Sequence, residues 1–511
     1  MQINVWGYAG LVVMAMGGTA LAQGQPLSVI DWLDQNATQS TPVVAVPEPP
    51  VVPTAQMPVI QTTPLDQRAI RQIGLVPAAV TGLPAEMWRR SDVTELSRLL
   101  MAVQDLRLPA AQALLYKLLL TEAEGPEGDA QRDDTFALTR VATLVAYGAL
   151  DPAMALIEQA GTDKDAAHFA TYMDIALLTG DEDAACDMLL ARPHLSPSYG
   201  HHVFCSARLG DWDTASLLWD AGLALQLIRR SQADLLDRFL HPDFFEDADT
   251  LQPPSQVTPL VFRLHETIGE PLPTARLPRA YAAADLRDLA GWKAQLEAAE
   301  RLTRSGALPD NKLLGIYTDR LPAASGGVWD RVSALQRFET ALGTGSVAAV
   351  EKTLPVVWAG MQQAEIEVSF AALFADALAP LGLSGSAATI AQHVRLLSPN
   401  AAAAARQPSG PGSVILNGVA LGSVDGLKPR SPLEAALQSV WASDTSRHDI
   451  VQMSRSGRQG EALLRTLRLL EDGANGDLNA LTTALGTLRA LGFEDIARHA
   501  ALQVALLDRE R

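Results

Sequence analysis

The chain has 511 residues, 48% of them hydrophobic and 5% aromatic, with a formal net charge of −18. That length and apolar content suffice for two or more cores, and richness in Ala and Leu favours helix. A charge so negative argues against nucleic acid and anionic membrane surfaces as partners, because both require clustered Lys and Arg.

Residues 10–22 are small, apolar and uncharged, and close on Ala20-Leu21-Ala22, the small-x-small pattern of a signal-peptidase site. Residues 1–22 are therefore expected to be an export signal, with the periplasm as destination. They carry no Lys or Arg, so an uncleaved anchor is the alternative. No later apolar run escapes interruption by charge, so no further membrane span is expected.

Residues 23–35 form a short stub. Ser28 and Asp31 give a helix-start signal, and Val29, Ile30, Trp32 and Leu33 supply its apolar side chains, with Val29, Trp32 and Leu33 at helical spacing on one face. A helix of two turns is unstable alone, so these four residues are expected to dock on a protein partner, with Trp32 as anchor. Packing back on the chain's own body is the alternative. Residues 36–84 include a stretch, 41–64, with seven prolines and one charge. Such composition predicts a disordered, semi-rigid tether.

From 85 to 400 helix is expected to follow helix. Asp92 and Glu95 mark one start and Pro109 opens the next. A phrase of the form Gly-x-x-x-x-Ala, with an apolar residue one or two positions before the Gly, recurs at Gly148, Gly180 and Gly210, spaced by 32 and 30 residues, and again near the C-terminus in "ALGFEDIARHA". Its physical sense is a helix ended by left-handed Gly, an acidic residue at the next start, and a small Ala that permits close helix packing. These hairpins resemble tetratricopeptide repeats in grammar, which implies an all-α, helical-hairpin solenoid.

Cys186 and Cys205 are the only cysteines. They lie equally far from a turn near Leu195 between two expected antiparallel helices, where paired residues share a height, so a disulfide is predicted. The nearby His194, His201 and His202 lack recognised ligand spacing, and no metal is expected. Residues 401–430 are expected to hold a linker and a small β-hairpin at 413–424 around Asn417-Gly418. Residues 431–511 are expected to be helical again.

The chain contains no G-x-S-x-G, H-E-x-x-H or P-loop pattern. A non-enzymatic scaffold without cofactor is the reading, since stacked hairpins present extended binding surfaces that need no catalytic group. A carbohydrate-active helical enzyme is the alternative from another class. The layout of signal, stub, Pro-rich tether and acidic helical body resembles the periplasmic motility proteins of α-proteobacteria of the MotC and MotK type. That resemblance implies a protein partner in the envelope, the periplasmic part of a MotB-like stator subunit, and a role in flagellar rotation. An adaptor of another envelope machine, in secretion, division or polysaccharide export, shares the same layout.

Overall fold

The computed structural model describes residues 72–507 apart from 129 and 288. The expected export signal, the stub with Val29, Ile30, Trp32 and Leu33, and the proline-rich stretch at 41–64 lie outside the described residues.

The described residues form 25 α-helices, joined by short turns, and one antiparallel pair of two-residue strands, Gln72–Ile73 and Ala123–Glu124. The chain is all-α, a succession of helical hairpins. The start signals act as their chemistry requires. Asp92 accepts the backbone N–H of Thr94 and of Glu95, both at 3.0 Å, and so caps Val93–Ala102. Pro109 begins Pro109–Leu120, where its missing N–H costs nothing.

The recurring phrase has one structure throughout. Gly148, Gly180, Gly210 and Gly492 have φ of 79°, 89°, 90° and 90°, the left-handed region open to Gly without a Cβ penalty. The Ala five residues on, at 153, 185, 215 and 497, is wholly buried in each case. Neighbouring helices thus turn back on each other with almost no side chain between them. Asp211 adds a cap by accepting the Thr214 N–H at 3.1 Å.

Cys186 on Glu182–Ala191 and Cys205 on Tyr199–Arg208 are disulfide-bonded, with Cα atoms 4.9 Å apart. A short 3₁₀ turn, Pro193–Leu195, joins the two helices as the spacing predicted.

Three expectations are corrected. Residues 413–424 are not a β-hairpin: Val414–Leu421 is a helix, capped by Ser413 and ended by left-handed Gly422. Ile415 and Val419 are fully buried there, and a Cβ on Gly418 would stand 2.6 Å from the Ser423 carbonyl oxygen, so this helical Gly lets the chain that leaves the helix fold back close against it. The stretch taken for a linker also holds a buried helix, Ala401–Arg406. Finally, the ordered body begins by Gln72 rather than after 84: Leu75 and Val76 both donate to the Leu120 carbonyl, at 2.8 and 2.9 Å, and Leu83 is buried.

The buried apolar residues form two cores. The first draws on 73–284 and again on 396–504, and the second on 282–397 with Leu507. The C-terminal helices complete the first core. Gly460 donates to the Met87 carbonyl at 3.1 Å and lies so close under Trp88 that a Cβ would stand 2.2 Å from the indole. Gln503 accepts the Ala110 N–H at 2.9 Å, and Arg465 pairs with Glu95 at 2.6 Å. Arg140, fully buried, holds the entering strand: it donates to the carbonyls of Leu119, Ile73 and Thr121 at 3.1, 2.8 and 3.1 Å. Burial pulls its pKa down to about 10, still well above neutrality.

Candidate functional site: an arginine-lined cleft

The stub is outside the described residues, and the disulfide is buried within its hairpin. His201 and His202 turn toward Ser196: the Ser196 hydroxyl is 3.3 Å from His201 Nδ1, and the Ser196 carbonyl accepts from His202 Nε2 at 2.9 Å. Burial, and then the neighbouring His202, bring the His201 pKa down to about 4.

The feature that sequence reading missed is a cleft of about 960 Å³ where four distant segments meet. Asp105 and Arg107 come from the turn before Pro109–Leu120, Arg279 from the turn after Thr274–Arg276, Arg301 and Arg304 from the end of Trp292–Thr303, and Glu365 from the cap of Val347–Ala364. Each position has a local reason. The helix Trp292–Thr303 ends by turning at Gly306, and the Ser305 hydroxyl donates to the Tyr147 carbonyl at 2.8 Å, which holds the arginine-bearing turn against the first core. Gln112 fixes the opposite wall, its amide donating to the carbonyls of Leu106 at 2.7 Å and Arg304 at 2.9 Å.

The four arginines are compensated unequally. Arg279 pairs with Asp105 at 3.0 Å and lies 5.5 Å over the Tyr147 ring. Arg107 stands 3.7 Å from Glu471. Arg301 donates to the carbonyl oxygens of Thr274, at 2.9 Å, and Leu277. Arg304, exposed, meets only the carbonyl of Glu300 at 3.4 Å among the described residues. Burial, and then the cations of Arg279 and Arg304, lower the Arg301 pKa, so the charges are close enough to repel.

A second compartment of about 540 Å³ shares Pro109, Gln112, Arg304 and Glu365 with the first. Its walls are more apolar, with Ala113, Leu120, Pro152 and Val368 beside Tyr116, whose hydroxyl donates to the Ser305 carbonyl at 3.1 Å. Burial pushes the Tyr116 pKa up. The cleft is thus lined by four arginines at one end and more apolar at the other, where Asp310, its pKa raised by burial, and the shared Glu365 stand in the wall, in a chain that is acidic as a whole. Such walls can hold and orient an anion next to an apolar group.

Among the described residues no group of His, Cys, Asp and Glu is placed to hold a metal ion, and no helix is long and apolar enough to cross a membrane. No protein-family model, curated protein or solved structure matches the chain.

Proposed function

We propose that this protein is an exported, non-enzymatic scaffold that holds a protein partner in the cell envelope, and that the partner is the periplasmic part of a MotB-like flagellar stator subunit. The observation that carries the reading is the arginine-lined cleft set in a body of stacked helical hairpins. Its arginines bind carboxylates and carbonyls, which is the chemistry of holding another chain. The Cys186 to Cys205 bridge supports an oxidising compartment. The stator as partner rests on the resemblance in layout to the MotC and MotK type.

A clean deletion, scored separately for flagellar filaments and for swimming, tests this. Filaments without swimming are expected. Normal motility would remove the stator role and pass the scaffold reading to another envelope machine.

A further inference from the structure

We infer that the cleft is a docking site for a segment of a partner protein that carries carboxylates at one end and bulky apolar side chains at the other. The inference rests on the scaffold reading and names what the scaffold's site would take.

The cationic compartment supplies the first half of the argument. The chain has a net charge of −18, yet Arg107, Arg279, Arg301 and Arg304 line one cleft with only Asp105 and Glu365 as carboxylates among its walls. Arg301 is spent on neutral carbonyl oxygens and Arg304 reaches only a distant one. Asp105 answers Arg279 and Glu471 answers Arg107, so the unanswered cations are Arg301 and Arg304; these repel, and an incoming carboxylate relieves that repulsion while accepting two parallel N–H bonds from a guanidinium. Charge complementarity therefore selects an acidic ligand.

The apolar compartment selects a peptide among acidic ligands. It opens directly from the arginines through the shared Pro109, Gln112, Arg304 and Glu365, so one ligand spans both. Its Ala113, Leu120, Pro152 and Val368 suit an aliphatic or aromatic side chain. A sugar polymer is recognised instead by rows of amides and stacking rings, and the Gln112 amide is already committed to two carbonyls. The first compartment alone, at about 960 Å³, lies near the top of the roughly 300–1,000 Å³ range of small-molecule pockets. The additional apolar space favours a chain segment over a free small anion.

The test uses the purified full-length protein and a fluorescein-labelled synthetic peptide unrelated to the chain's own sequence, DEDGSWLLF with an amidated C-terminus, which places carboxylates at one end and Trp, Leu and Phe at the other. Fluorescence anisotropy should show saturable binding that weakens as salt rises. The double variant Arg107→Glu with Arg304→Glu should bind about tenfold or more weakly, and a peptide with Ala in place of its Trp and both Leu should lose a similar factor. Arg304 is exposed and makes no ion pair among the described residues, so Arg304→Glu alone should weaken binding with an unchanged melting temperature and serves as the check on folding; Arg107→Glu, which sets a carboxylate beside the buried Glu471, is read only in the double variant. Equal binding by the double variant would overturn the proposal. So would unchanged binding of the Ala-substituted peptide combined with full displacement by inorganic phosphate, which would mark an anion site alone. Tighter probe binding by the full chain carrying Trp32→Ala would assign the cleft to the chain's own segment and overturn the partner assignment. If any of these occurs while deletion still stops swimming, the scaffold reading stands without this site.

Discussion

The first core is assembled from both ends of the described residues, and the second almost wholly from one uninterrupted stretch of them. In the first, Ala110 bonds Gln503 across 393 residues and Arg107 bonds Glu471 across 364. In the second, the central polar cluster is nearly local: Glu300 accepts from Tyr317 at 2.5 Å and from Arg331 at 2.7 Å, within 31 residues. Each core uses an arginine, fully buried in the first and half-buried in the second, but differently. Arg140 satisfies backbone carbonyls and fixes where the chain enters, whereas Arg331 satisfies a carboxylate and joins two hairpins. Similar helical hairpins therefore yield one region whose integrity depends on the whole chain and another that depends on its neighbours alone.

The largest effect is expected from Arg140→Met. It removes the donors from three buried carbonyl groups and should cost about 3–5 kcal/mol, read from the urea midpoint. Hydrogen exchange should place the loss of protection in 93–147 and 459–506 while 292–378 stays protected. The counterpart Glu300→Ala, which strands Arg331, should invert that pattern. Equal loss in both stretches for either variant would show that the cores unfold as one unit and would erase the contrast.

Replacing Cys186 and Cys205 together by Ala sharpens the comparison from inside the first core, because the bridge is a local device in a region held by distant contacts. With a sequence separation of 19, the bridge should contribute about 3 kcal/mol. Protection should fall first in 182–208, with the contact between 93–102 and 459–474 little changed. Non-reducing mass spectrometry of the unaltered protein should find no free thiol.

A smaller effect is expected from pH. The His201 pKa in the fold, about 4, lies below its ordinary 6.5, so the unfolded chain takes up the proton first. This contribution is complete above about pH 6.5 and is lost as pH falls toward 4, amounting to about 2 kcal/mol between pH 7 and 4.5. His201→Gln should flatten the acid limb of the melting-temperature curve. An unaltered limb would place the acid sensitivity elsewhere.

Much of the first region was legible because its signals are backbone signals. A Gly at the end of a helix and an Ala five residues later dictate left-handed φ and close packing wherever they occur, and the cysteine pair followed from turn symmetry. The same grammar continues in the second region and the C-terminal helices under disguise. Gly345 and Gly476 are left-handed with φ of 67° and 108°, but the fully buried residues five positions on are Val350 and Leu481 rather than Ala. Gly457, left-handed, and the fully buried Ala462 keep the Gly and the Ala of the form, but Arg455 and Ser456 stand where an apolar residue preceded the others. The hairpin expected at 413–424 failed because a short apolar run with an Asn-Gly pair satisfies strand and buried-helix patterns alike. Capping by Ser413 and burial of Ile415, Leu416, Val419 and Ala420 at helical spacing decided for helix. The cleft had no sequence signal: Arg107 and Arg304 are exposed residues far apart in the chain, and each alone looks like ordinary solvated surface.

The bond between Ala110 and Gln503 has a consequence in time. A chain made from its N-terminus at roughly 5–20 residues per second produces residue 503 roughly 20–80 s after residue 110, given their separation of 393. For that interval the helices at 93–120 have apolar faces with no native partner, while the stretch from 292 to 378 can close as soon as it is made. The last thirteen-residue helix, Glu494–Leu506, is then the piece whose arrival ends the wait. A nascent chain of this design depends on whatever shields its first helices until its final ones exist.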